Sequence, residues 1–280
     1  MKNSKIILIN KPSGISSYKE IRKIGSEYNF EKIGHAGTLD PLAQGLMIAM
    51  SNKATKLSDL LMKKDKVYFV EMVLGFETDT LDLEGEIIEK ASIPKNINIR
   101  LIGRILEKFV GEIEQIPPKY SAIKVNGRKL YNLARKNIDV VIPKRNVKIE
   151  YIKDIELKDN KISFRTKVSS GTYIRSLVRD IAYKLGTVAT MSYLLRESIA
   201  QFKNPKNVEI INVEDAIILD KITLNSEEYI KIKNGQTIKI NYDGNCDMLH
   251  CYSDLQYKGI VDIIHKKNGI INIKRNKFFE

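Results

Sequence analysis

The residues of this chain best suited to chemistry are a carboxylate in a glycine loop, an arginine at a strand–helix junction and a tyrosine in a strand. Asp40 ends GHAGTLD at 34–40 and is followed by Pro41. Aspartate suits the position before a helix and proline its first turn. A helix start favours the ionised carboxylate, and an ionised carboxylate is a competent nucleophile. Arg175 follows SSGTY at the start of a helical stripe, where a cation calls for a nearby anion, either a phosphate or a carboxylate such as Asp40. Tyr68 lies in KVYFVEMVL, a run of strand composition. Taken singly, each has a plain structural reading: Asp40 as a helix cap, Arg175 as a surface cation and Tyr68 as core.

Other chemistries lack their residues. The histidines are His35, His250 and His265, none at close metal-ligand spacing and none in HExxH. GxGxxG, the P-loop and GxSxG are absent, as are the HxE and PCxxC elements of a zinc deaminase. Cys246 and Cys251 make neither a disulfide framework nor a four-thiolate zinc site, and they read as reduced thiols of a cytoplasmic protein. Lysine and arginine number 47 against 34 acids, and the net charge of +13 draws polyanions, with nucleic acid first among them. No stretch approaches the length of an apolar membrane span, and the start lacks the length and cleavage site of a signal peptide.

The elements that must position these residues follow from periodicity. KIILIN at 5–10 reads as a buried strand, and KPSG ends it. Ser17 and Glu20 stand at capping-box spacing before a helix over 18–26. Ala43 and the apolar run to Met50 read as the continuation of a helix opened by Asp40 and Pro41, although Gly45 weakens it. Residues 78–88 form a polar excursion that leads into a strand. Ile99, Ile102, Ile105, Leu106 and Phe109 share a helical face, and Ile162, Phe164 and Val168 a strand face. Ile174, Leu177, Val178, Ile181 and Leu185 make a helix stripe, with Arg175 and Arg179 expected nearer its rim. The mixture without regular βαβ alternation predicts an α+β fold with a mixed or antiparallel sheet. NPKN at 204–207 is a candidate boundary. Beyond it, YIKIKNG, TIKINY, MLHCYS, GIVDII and GIINIKR read as short strands of a small β-rich domain.

Four stretches together carry more than their parts: NKPSGISSYK at 10–19, KIGHAGTLDPLAQGLMIA at 32–49, KYSAIKVNGRKLYNLAR at 119–135 and SSGTYIRSLVRDIAYKLG at 169–186. In this order they closely resemble the TruB family of bacterial tRNA pseudouridine-55 synthases, and the strand at 66–85 is similar to that family as well. The resemblance runs through about residues 5–202. It implies a pseudouridine-synthase catalytic domain over 1–210, with a largely antiparallel mixed sheet, and a PUA-like RNA-binding domain over 225–280. It implies isomerisation of the T-loop uridine of tRNA with base flipping, no metal or organic cofactor, no obligate protein partner and a monomer. It makes Asp40 the nucleophile, Arg175 its partner and Tyr68 the residue stacked on the base. It places His35 in the space the flipped base vacates. It also assigns Gly37, Lys11, Lys119, Tyr173 and Leu194 to substrate binding, with Lys19 and Lys124 near the RNA. The segment 126–137 would present Arg128, Lys129, Arg135 and Lys136 to RNA, with Leu130, Leu133 and Ala134 facing inward. Two departures stand out: Ala36 replaces the threonine of the usual GHTG loop, and YLLR at 193–196 keeps Leu194 and Arg196 but has Leu195 where an arginine is common. Action on another structured RNA and a non-catalytic tRNA-binding or chaperone role are the alternatives.

Overall fold

The computed structural model describes residues 4–125, 127–136, 138 and 140–279. In chain order its elements are β1 (Lys5–Lys11), α1 (Ser17–Glu27), β2 (Ile33–His35), β3 (Gln44–Ser51), α2 (Ser58–Met62), β4 (Lys66–Leu74), β5 (Phe76–Thr78), β6 (Ile87–Lys90), α3 (Ile99–Glu107), β7 (Gly111–Gln115), β8 (Lys124–Val125), β9 (Arg128–Lys129) and α4 (Leu130–Ala134). They continue with β10 (Arg145–Lys158), β11 (Lys161–Val168), α5 (Ile174–Leu185), β12 (Ala189–Ile199), β13 (Phe202–Lys203), β14 (Glu209–Asn212), α6 (Val213–Ala216), β15 (Lys221–Leu224), α7 (Ser226–Lys233), β16 (Ile238–Asn241), β17 (Met248–Ser253), β18 (Gln256–Lys267) and β19 (Ile270–Phe278).

A ten-stranded sheet runs β14-β1-β3-β12-β4-β11-β10-β7, with β2 beside β3 and β13 beside β12. Its pairs are antiparallel except β3 with β12, where Leu195 lies opposite Gln44 and Arg196 opposite Gly45. Along β4, Lys66, Tyr68, Val70, Met72 and Leu74 are buried while the residues between them are half-buried. This is the two-residue period of a strand with one well-covered face. That face packs on the apolar stripes of α1, α3 and α5. On the opposite side of β1 and β3, a second cluster joins Ile6, Leu8 and Ile48 to Tyr257, Ile260 and Phe279 of the C-terminal region. There a smaller sheet, β15-β17-β18-β19-β16, encloses its own core with α7.

Several expectations change. Residues 44–51 form β3, a central strand, and no helix follows Asp40. A short apolar run buried on both faces is compatible with either element. Here Gly45 at φ +101 decides, because a Cβ there would lie 2.4 Å from the Arg196 carbonyl oxygen. Helix α1 is capped by Ser16 rather than Ser17. YIKIKNG falls largely in α7, where Asn225 and Glu228 complete a capping box and Tyr229 and Ile232 supply the buried face. Arg175 is 5% exposed rather than at a rim, since the start of α5 is covered by other loops. After the NPKN segment, β14 returns to pair with β1, so the large sheet continues past that point. Of the segment 126–137, Asn126 and Asn137 lie outside the described residues; α4 buries Leu130 and Leu133, while Ala134 is half-buried.

Candidate active site

The loop that carries Asp40 is pinned on both sides of it. The Ser17 hydroxyl donates to the Leu39 carbonyl at 2.8 Å and accepts from the Leu39 N–H at 2.9 Å. Gly14 N–H donates to the Pro41 carbonyl at 2.8 Å, and the Ser13 hydroxyl to that of Leu42 at 2.7 Å. The Lys11 ammonium lies inside this turn and donates to the carbonyls of Pro12, Ile15 and Pro41 at 2.8, 2.7 and 3.1 Å. Lys11 is fully buried, so the expected contact of its charge with RNA is replaced by a structural one. Its three donors are all used. Gly37, at φ +98, gives its carbonyl to Arg196 Nη2 at 3.1 Å.

Into this fixed loop reaches Arg175. Its Nε lies 2.9 Å from Asp40 Oδ2 and its Nη1 3.5 Å from Asp82 Oδ2. Nη1 also donates to the Thr80 carbonyl at 2.7 Å and Nη2 to that of Tyr120 at 3.0 Å. Three chain segments, at Asp40, Thr80–Asp82 and Tyr120, therefore share one guanidinium, whose rigid fork suits such multiple contacts. The start of α5 is held by Gln115, which donates to the Tyr173 carbonyl at 3.0 Å and accepts from the Tyr173 N–H at 2.8 Å. Burial pushes the Asp40 carboxyl above the usual carboxylate range, Arg175 pulls it back, and the Asp82 charge raises it further. With β3 rather than a helix following, the guanidinium takes the stabilising role expected of a helix terminus.

An open cavity of about 870 Å³ surrounds the pair, and Gly37, Asp40, Tyr68, Tyr173, Arg175 and Leu194 line it. Tyr68 is 7% exposed, on the face of β4 turned to the site. His35 and Lys119 are not among the lining residues. His35 is a half-buried residue of β2, its Nδ1 is buried without a hydrogen-bond partner, and burial followed by the Arg196 charge lowers its pKa. Lys119 is exposed and lies with Leu130 and Ala134 at a separate small pocket. Sequence reasoning missed Asp82, Gln115 and Lys66. Asp82 looked like part of a polar turn, and no local pattern marks Gln115 or Lys66. Arg196, matched from YLLR, is 1% exposed and also bonds the Leu46 carbonyl at 2.6 Å. Among the described residues there is no group of three or more His, Cys, Asp or Glu arranged to hold a metal ion, and no helix long and apolar enough to cross a membrane.

Residues 25–174 match the family described as TruB family pseudouridylate synthase, N-terminal domain. The chain is 43% identical over 274 residues to a protein of Fusobacterium nucleatum named tRNA pseudouridine synthase B, covering 92% of this chain and 95% of that one. It is 36% identical to the protein of the same name from Thermotoga maritima, covering 98% and 91%. Among solved structures it superposes on a chain of an H/ACA RNP bound to a substrate RNA containing 2'-deoxyuridine, with TM-score 0.71 and 21% identity, over 99% of this chain and 85% of that one. A chain of a Cbf5–Nop10–Gar1 complex gives TM-score 0.69 and 23% identity over 97% and 84%. These two likenesses speak for the fold: an α+β pseudouridine-synthase domain with a PUA-like β-rich C-terminal part.

Proposed function

This chain belongs to the TruB family of pseudouridylate synthases, and from that premise we propose that it converts the T-loop uridine of tRNA to pseudouridine with Asp40 as nucleophile. Its relatives named tRNA pseudouridine synthase B support tRNA as substrate and an isomerase reaction. The observation that carries the residue assignment is the Arg175–Asp40 pair, 2.9 Å apart inside the cavity.

The reaction breaks the N1–C1′ bond of uridine, rotates the base and joins C5 to C1′, with a proton lost from C5 and one gained at N1. It is redox-neutral and consumes no water. Attack on C1′, attack on C6 and assisted glycal formation all require the same ionised Asp40 oxygen. Arg175 holds that oxygen charged and aimed. A uridine in a folded loop must leave its stack to reach the cavity. Tyr68 offers an aromatic face there, and Leu194 and Tyr173 complete an apolar wall. His35 lies in β2 outside the cavity lining, and the part proposed for it, filling the space the base vacates, rests on the family resemblance alone. One chain supplies Asp40, Arg175 and Tyr68 together, which supports a monomer without an obligate protein partner.

The test is pseudouridine mapping on an unmodified tRNA transcript with wild type and Asp40→Asn. Product at the T-loop uridine alone, lost in the variant while tRNA binding persists, is the expected result. Product at another uridine overturns the substrate assignment, and undiminished product from the variant removes Asp40 from the mechanism.

A further inference from the structure

Strand β4 opens on Lys66, two residues before Tyr68 and on the same face. Lys66 is 7% exposed and lines the Asp40 cavity. Its ammonium donates to the carbonyls of Met62 and Lys64 at 2.7 and 2.6 Å. An ammonium carries three protons, and the third has no acceptor among the described residues. Lys11 shows the alternative, with all three donors satisfied by carbonyls. The charged groups acting on Lys66 are Arg196, from β12, and Asp65, from the turn before β4. Burial first, then Arg196, lowers its pKa to about 8, with Asp65 opposing. A buried cation held only by neutral carbonyls keeps much of its demand for an anion.

The rest of the cavity points the same way. Among its described lining residues Asp40 is the one carboxylate, while Lys63, Lys66, Lys129, Arg145, Arg175 and Arg196 are cationic. Arg175 is committed to Asp40 and Asp82. Lys66 stands at the end of β4 where Val168 of β11 is its neighbour, close to the loop that follows β11 and also lines the cavity. A substrate with no anion would leave this wall unmatched. An RNA strand entering the cavity brings one phosphate per nucleotide.

We propose that Lys66 is a positioning residue that donates its third N–H to a backbone phosphate of the flipped nucleotide, setting the base against Tyr68. This rests on the reading of the cavity as an RNA site. Phosphate contacts fix register and orientation rather than sequence, so Lys66 acts on placement and not on the bonds that change.

The experiment measures binding of an unmodified tRNA transcript to wild type, Lys66→Arg and Lys66→Met across pH and salt, with product mapping on the same samples. Wild-type affinity is expected to weaken several-fold from pH 7 to pH 9 as the amine loses its charge, whereas Lys66→Arg stays flat over that range. Lys66→Met is expected to bind weakly throughout, and its plot of log affinity against log salt to flatten by about 0.7–0.9, one phosphate contact. Should Lys66→Met fail to fold, the comparison of wild type with Lys66→Arg decides alone. The same pH response in both, or an unchanged salt slope in folded Lys66→Met, overturns the proposal. Product without the Lys66 signature defeats this proposal alone. The signature without product defeats the catalytic reading and leaves the phosphate contact standing.

Discussion

Two buried arginines face the same cavity and are spent in opposite ways. Arg175, at the start of α5, meets the carboxylates of Asp40 and Asp82. Arg196, on β12, is buried still deeper and gives its donors to the carbonyls of Leu46 and Gly37. Lys11 on β1 behaves like Arg196. A cation on a carboxylate sets a protonation state, because its charge acts on a group that titrates. A cation on carbonyls staples backbone that would otherwise be buried unsatisfied. The first wall therefore governs chemistry and pH response, and the second governs where the loop sits.

The largest effect that tests this division is at Asp40. Asp40→Asn removes the nucleophile with little change of shape, and kcat is expected to fall by about 10⁴-fold or more in single-turnover assays. Next comes Arg175→Met, which leaves the buried Asp82 without its ionic partner. A loss of about 3–5 kcal/mol of stability is expected from urea unfolding, together with loss of turnover. Lys11→Met strands carbonyls on the other wall. We expect a cost of about 2–4 kcal/mol, and, because the Lys11 charge is the last of the influences that set the Asp40 pKa, only a small upward movement of the acid limb of the pH–rate profile in the protein that folds. A limb displaced in Lys11→Met by as much as in Asp82→Asn would break the comparison.

The smallest effect is the sharpest. The Asp40 pKa is raised, so kcat/KM falls as pH drops through a value above the usual carboxylate range, and the ionised form is complete only above it. Asp82 contributes to that rise. Asp82→Asn keeps an oxygen for Glu84 N–H and the Thr80 hydroxyl and is expected to move the acid limb to lower pH. For stability the raised value means that ionising Asp40 costs the native state near neutrality, and the cost fades as pH falls.

Much of the scaffold was legible. The stripes of α3 and α5 and the shared face of β11 were read directly from the chain, because one covered face imposes a period on local sequence, and β4 was read from its strand composition. The errors fell where that period is ambiguous. LMIAM in β3 has both faces buried and so no alternation to read, and YIKIKNG alternates like a strand but is drawn into α7 by a capping box. Ser17 was assigned to a helix cap because its spacing to Glu20 fits one, yet its hydroxyl holds Leu39 instead.

For the site, residue types and a long family-like motif were enough to single out Asp40, Arg175 and Tyr68, since a nucleophile, its counter-ion and an aromatic face are properties of side chains. Their company was not readable. Asp82, Gln115 and Lys66 come from separate strands and loops, and no local pattern encodes whether a buried cation such as Arg196 will find a carboxylate, a carbonyl or nothing. That depends on which loops the sheet brings together. The parallel contact of β3 with β12 sets Arg196 behind Gly37, and the turn after β5 sets Asp82 beside Arg175. The reacting groups were thus written in the chain, whereas the charge that each one carries was decided only when the sheet closed around them.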